Sequence, residues 1–216
     1  MAISKADFNN INITPTASKA IKFNSGADGF EAGDLGGSMV LLSTQTASGS
    51  ANLTFDSSID STYKKYVFKI INIHPAASSE FYVNFRDGGS AYDATKTTTL
   101  FRAAHREDDA SATLSYDAAD DKAQSTGFQA LTSSSQIGLD SDENVSGEMT
   151  LFDPSSTTFV KHFMSQTNYV SNDAVPNCLT SFTAGYCNVT AAIDGVQFKM
   201  GSGNIDSGII KMYGIT

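Results

Sequence analysis

The chain has 216 residues, of which 40% are hydrophobic and 17% charged, with 14 Phe, 8 Tyr and 4 Pro. That composition excludes a disordered chain, which combines weak hydrophobicity with high net charge, and the length suits one large all-β domain or two small ones. The 14 Lys+Arg against 23 Asp+Glu leave a net charge of -9, without the basic surface that neutralises phosphates, so nucleic acid is not an expected partner.

Residues 1–37 show no sustained apolar periodicity. Ile11/Ile13 and Ile21/Phe23 stand at the two-residue spacing of short extended pieces, and Gly-rich breaks follow at 24–29 and 33–37. Such a segment buries too little apolar surface to hold itself together. It reads as an extended N-terminal arm whose apolar residues, Ile11, Ile13, Ile21, Phe23 and Phe30, order against its own domain or a neighbouring subunit.

From residue 38 to 216, short β-like runs recur with turn signals between them, which reads as a single sandwich domain. Residues 39–46 form one run, and 51–55 alternates with Leu53 and Phe55 on one face. Residues 65–73 are almost all β-branched or aromatic, as in a central strand covered on both faces. Phe81, Val83 and Phe85 point inward against Tyr82, Asn84 and Arg86, and the turn Asp87-Gly-Gly-Ser90 ends that strand. Fainter runs cover 97–103, 112–116 and 128–131. A clean alternation over 147–152 stops at the turn opened by Asp153-Pro154, and strands at 159–166, 181–188, 196–200 and 208–215 complete the series. Residues 103–122 come nearest to a helical composition, yet charge and the missing apolar stripe make them loop or a single turn. Ten to twelve strands without helices make the expected fold all-β, an antiparallel jelly-roll-like β-sandwich. The 28 Ser and 21 Thr suit its outward faces and turns.

No apolar run of a secretory signal opens the chain, and nothing approaches the ~18 consecutive apolar residues of a membrane span. The expectation is therefore a protein made in a cytoplasm, without membrane insertion. In a reducing compartment Cys178 and Cys187 read as free thiols, and the four Asn-x-Ser/Thr sites as chance. The acid concentrated in 107–121 and 140–143 reads as solvated loop.

Parts for catalysis are sparse. His74 lies at a strand end before Pro75, His105 in a mixed-charge cluster, and His162 alternates with Lys161, so that one of the two faces out. No nucleophile elbow, His-Glu-x-x-His or Cys-x-x-Cys occurs, and no catalytic residue or cofactor is expected. Asp140, Asp142 and Glu143 offer three carboxylates in four residues, the one candidate for Ca²⁺, although the loop lacks the Gly and the distant Glu of a helix-loop-helix calcium site. For stacking a sugar, Tyr63, Tyr82, Tyr92 and Tyr169 are the candidate platforms.

The C-terminal stretch from Cys187 through Gly208-Ile-Ile-Lys-Met-Tyr-Gly-Ile215 reads as a closing β-hairpin with Val196, Phe198 and Met200 on one face and Lys199 and Lys211 on a solvent side. It resembles a hairpin of structural proteins of tailed bacteriophages, especially marine and cyanobacterial ones. Leu41-Leu-Ser-Thr-Gln-Thr-Ala-Ser48 and Ile71-Asn-Ile-His-Pro75 look like other pieces of that group, and residues 13–30 are similar to N-terminal segments of phage fibre-like proteins. The resemblance implies a non-catalytic virion protein made in the host cytoplasm. Its foremost role would be a cement protein decorating the capsid, with the major capsid protein or other virion proteins as partners. A tail fibre or baseplate component touching a host-surface glycan is the alternative, and a carbohydrate-binding module a further one. By the same analogy it implies a homotrimer.

Overall fold

The computed structural model describes residues 20–26, 28–33 and 39–215, and the chain divides into two compact units, 1–38 and 39–216. In the first unit, β1 (Ala20–Phe23) and β2 (Phe30–Gly33) form an antiparallel hairpin. Its closing pair is Phe23 against Phe30, with rings stacked 4.9 Å apart, while Asn24 N–H donates to the Gly29 carbonyl at 3.0 Å. The extended piece expected at Ile21 and Phe23 is thus folded against Phe30–Gly33, a strand that the apolar spacing does not announce, and Ile21, Phe23 and Phe30 remain exposed. Ile11 and Ile13 lie outside the described residues.

The second unit is all-β. Its strands are β3 (Met39–Ser50), β4 (Leu53–Phe55), β5 (Lys65–Pro75), β6 (Phe81–Arg86), β7 (Lys96–Arg106), β8 (Ala112–Tyr116), β9 (Gln129–Ala130), β10 (Val145–Phe152), β11 (Lys161–Val170), β12 (Asn177–Cys187), β13 (Gly195–Met200) and β14 (Ile205–Ile215). They make an eight-stranded sheet in the order β3-β14-β5-β10-β11-β12-β7-β8 and a four-stranded sheet in the order β4-β13-β6-β9, with every pairing antiparallel.

Alternation places Leu53, Phe55, Phe81, Val83, Phe85, Val196, Phe198 and Met200 of the small sheet against Tyr66, Phe68, Ile70, Met149, Leu151 and Phe163 of the large one. Phe198 lies at the centre, 5.7 Å from Phe81, 5.6 Å from Phe68 and 6.1 Å from Phe55 between ring centroids. Phe85 meets Phe163 at 4.8 Å. Residues 65–73 are central in the large sheet, as expected, but they are not covered on both faces. Tyr66, Phe68 and Ile70 point into the core, while the other side is covered only at Val67, with Lys69 half-buried and Ile71 exposed. The alternation then shifts by one at Asn72, whose φ of 49° sits opposite Gly208 at φ 120°, and this bulge returns Ile73 to the core. Gly208 is required there, since a Cβ would lie 2.5 Å from the Asn72 carbonyl oxygen.

Strands β11, β12 and β7 extend the large sheet, and many of their inward side chains are polar and buried: Lys96, Thr98, Lys161, Ser165, Thr167, Ser181 and Thr183. The segment around β9 supplies many of their partners. Thr167 donates to the Leu131 carbonyl at 2.5 Å, Thr183 to the Ala130 carbonyl at 3.3 Å and Thr98 to Gln129 Oε1 at 2.5 Å. The Tyr169 hydroxyl lies 2.7 Å from the Ser133 hydroxyl. Buried polar groups are tolerated when paired in this way.

One row of this layer runs Lys161–Cys187–Lys96 across three adjacent strands. Lys96 Nζ donates to the Gly127 carbonyl at 2.8 Å, and Lys161 Nζ to the carbonyls of Val189 at 2.5 Å and Ser156 at 3.2 Å. Burial lowers the Lys96 ammonium to about 8 and lowers that of Lys161. Burial pushes the Cys187 thiol up to about 12 despite the two lysines beside it. Of the alternating pair at 161 and 162, His162 is the residue that faces out.

Candidate binding face

The outer face of the large sheet follows from the same registers. Gln166 of β11 pairs with Phe182 of β12, Phe182 with Phe101 of β7, and Phe101 with Tyr116 of β8. Next to that row, Met164 pairs with Thr150 and Ala184, and Ala184 with Thr99. On the other side, Asn168 pairs with Thr180, Thr180 with Ala103, and Ala103 with Leu114. The Phe101 and Phe182 rings stack 4.9 Å apart at 12°, and His162 meets the Tyr186 ring edge-on at 5.9 Å. Phe101, Leu114, Tyr116 and Met164 are exposed, Leu114 by 76% and Met164 by 58%.

An open cleft of about 400 Å³ crosses these rows, with Phe101, Phe182, Phe152 and Met164 for walls and Glu148 and Gln166 at its polar side. A second depression of about 470 Å³ adjoins it, lined by His162, Met164 and Tyr186. From position 162 to 168 of β11, 180 to 186 of β12 and 97 to 103 of β7, no outward residue is Asp, Glu, Lys or Arg. On a chain of net charge -9 that is a distinct surface. Charge begins at its border, where Glu148 pairs with Lys69 and the Lys65 ammonium lies 5.8 Å from the Phe152 ring centre. A contiguous uncharged aromatic and methionine surface is suited to a partner that removes it from water.

The residues singled out from the sequence are placed elsewhere. Tyr169 is buried beneath the sheet, where desolvation raises its hydroxyl above the usual range. Tyr63 packs edge-on to Tyr66 at 5.9 Å, and Tyr92 lies beside the Arg86 guanidinium. Of the carboxylates at 140–143, Asp140 and Asp142 are exposed, whereas Glu143 is buried and spends Oε2 on the Asp140 N–H at 2.8 Å. Among the described residues no three His, Cys, Asp or Glu side chains come together as a metal site.

His105 pairs with Asp109 at 3.0 Å, and His74 Nδ1 lies 3.6 Å from Asp206 Oδ2. Cys178 and Cys187 are both free and stand nine residues apart on the single strand β12, about 30 Å by strand rise, too far to pair. No helix among the described residues is long and apolar enough to cross a membrane. Phe182 and Phe101 were missed as surface residues because an outward aromatic in a strand has the same local pattern as a core one. The available signal was the polar character of their alternate neighbours, Ser181 and Thr183, and Arg102.

No protein-family model matches the chain, and no curated protein matches it.

Proposed function

We propose that the chain is a non-catalytic structural protein of a tailed-phage virion, made in the host cytoplasm, that decorates and stabilises the capsid surface as a cement protein. The observation that carries a binding role is the uncharged aromatic face of β11, β12 and β7 on an otherwise acidic molecule, which fits docking against the major capsid protein or another virion protein. The phage setting rests on the resemblance of the C-terminal hairpin and the neighbouring motifs.

The sandwich is read further as a jelly roll. Supporting this, β3-β14-β5-β10 and β4-β13-β6-β9 form two facing four-strand sets, and the remaining strands enter as two hairpins, β7-β8 between β6 and β9 and β11-β12 between β10 and β13. Jelly rolls are a recurrent architecture of viral capsid and lectin domains. Residues 1–37 serve in this reading as a second attachment, through the exposed Ile21, Phe23 and Phe30.

The cleft favours a second reading, a fibre or baseplate component binding a host-surface glycan. Its aromatic walls would stack on a sugar ring, with Glu148 and Gln166 available to hydroxyls. Purified protein added to undecorated capsids and to host cells, followed by sedimentation, separates the two. Decoration predicts cosedimentation with capsids, weakened at least tenfold by Phe182→Ser; binding to cells alone overturns it.

A further inference from the structure

We propose that the free edge of β8 is a self-complementary interface, joining two copies of the chain across a two-fold axis at Leu114 into one continuous sheet. The backbone bonds at both ends of β8 fix which groups face outward. Arg106 N–H donates to the Ser111 carbonyl at 2.9 Å, and Asp117 N–H to the Leu100 carbonyl at 2.9 Å. In an antiparallel ladder the bonded residues alternate, so 111, 113, 115 and 117 bond to β7. Ala112, Leu114 and Tyr116 therefore direct their N–H and C=O groups away from β7, and no strand among the described residues pairs with them.

Edge strands are ordinarily blunted by charge, proline or a bulge. Residues 111–116, Ser-Ala-Thr-Leu-Ser-Tyr, contain no charge or proline, and their register with β7 is unbroken. The three outward-directed residues are symmetric about Leu114. A second β8 laid antiparallel sets Leu114 against Leu114 of the second copy and each Tyr116 against an Ala112, large beside small, and satisfies six backbone hydrogen bonds. The side chains brought together, Leu114 and Tyr116, are exposed by 76% and 54% and continue the rows of Ala103 and Phe101.

Two of the acids flanking the strand are paired with arginines, which limits repulsion at its ends: Asp117 with Arg102 at 3.3 Å and Asp108 with Arg106 at 3.0 Å. Asp109 lies 3.0 Å from His105, Asp121 accepts from the Tyr116 hydroxyl at 2.5 Å, and Glu107 is exposed. The opposite edge, β3, leads out of residues 34–38, which lie outside the described residues, and no partner is assigned to it. One short edge buries well under the roughly 1,600 Å² of a standard interface, so a weak, concentration-dependent dimer is expected. Its symmetry gives two copies, in place of the three implied by the family resemblance, and it doubles the uncharged outer face.

Sedimentation equilibrium of the full chain from about 5 to 300 μM should show monomer passing to dimer. Leu114→Pro removes an N–H that β7 does not use, and should weaken the dimer at least tenfold while circular dichroism and melting stay those of the parent. Leu114→Cys in a Cys178→Ser background should oxidise to a covalent dimer, since facing Cα atoms of a bonded pair lie about 5.5 Å apart. Thr113→Cys in the same background faces position 115 of the second copy and should cross-link at least tenfold more slowly. A chain monomeric at 300 μM, a trimer, open-ended growth from β8 pairing with β3, or equal cross-linking at 113 and 114 overturns the proposal. Should Leu114→Pro fail to fold, the two cysteine variants decide the matter.

Discussion

Replacing Lys96 by Met keeps the buried stem and removes the ammonium. In the native chain burial lowers this group from 10.5 to about 8, so the folded state binds its proton less tightly than the unfolded state does. Below pH 8 both states are protonated and the buried charge destabilises the fold; stability returns as pH rises from 8 towards 10.5, because only the unfolded state still holds the proton. The penalty is about 3 kcal/mol at pH 7 and a little over 1 kcal/mol at pH 9.5.

The Met variant lacks this slope. It also leaves the Gly127 carbonyl without its donor, an offset of about 1–3 kcal/mol that does not vary with pH. Cys187, raised from 9.0 to about 12, works in the opposite sense, its contribution present below pH 9 and lost as pH rises towards 12. Lys96 itself lowers that thiol, so the variant raises it further; up to pH 9.5 the folded thiol stays protonated in both proteins, and its contribution nearly cancels in the comparison. Urea denaturation at pH 7, 8, 9 and 9.5 should therefore show the native chain gaining about 2 kcal/mol on the variant, roughly 1 M in midpoint. A stability difference that stays constant across this range would refute the claim that Lys96 is held in a desolvated site.

Phe198→Ala, which opens a cavity among Phe55, Phe68 and Phe81, should cost about 3–5 kcal/mol in urea denaturation, and a loss below about 1 kcal/mol would mean that the sheets do not meet there. Gly147→Ala places a Cβ 2.2 Å from the Gln166 carbonyl oxygen, so β10 and β11 must separate; a loss of about 2–3 kcal/mol is expected in the same assay. Adding a chelator should leave the melting temperature unchanged within about a degree, because Glu143 is engaged with the Asp140 N–H. A drop of several degrees would assign a cation to residues 140–143.

Strands in which every second residue is a large apolar side chain were legible at or close to their bounds. β6 spans Phe81–Arg86 and β13 spans Gly195–Met200, because Phe81, Val83, Phe85, Val196, Phe198 and Met200 have only one apolar face to fill. β11 and β12 begin two residues later and four earlier than their apolar content suggests. Their inward positions include Lys161, Thr167, Ser181 and Thr183; the carbonyls of Leu131 and Ala130 partner Thr167 and Thr183, and that of Val189 partners Lys161, none of them announced by a local pattern. The candidate face was hidden for the same reason. With polar side chains turned inward, Phe182 and Phe101 on the outside share the local pattern of core residues, and Tyr169, a candidate sugar platform by sequence, is buried.

The place of the final hairpin bears on how such a chain is made. β14 lies between β3 and β5, and β13 between β4 and β6. Until residues 195–215 have left the ribosome, β3 has no partner strand in its sheet and β4 is cut off from β6, so both sheets stay split with inner edges open. Synthesis at about 5–20 residues per second keeps the first strands waiting for seconds, a period in which a chaperone or a neighbouring nascent chain competes for those edges. The slow, long-range closure typical of such topologies then occurs once, when the last strand is inserted. The candidate face on β7, β11 and β12 can form before that step, but a chain cut short before β13 keeps the inner edges of both sheets open and should be captured by quality control.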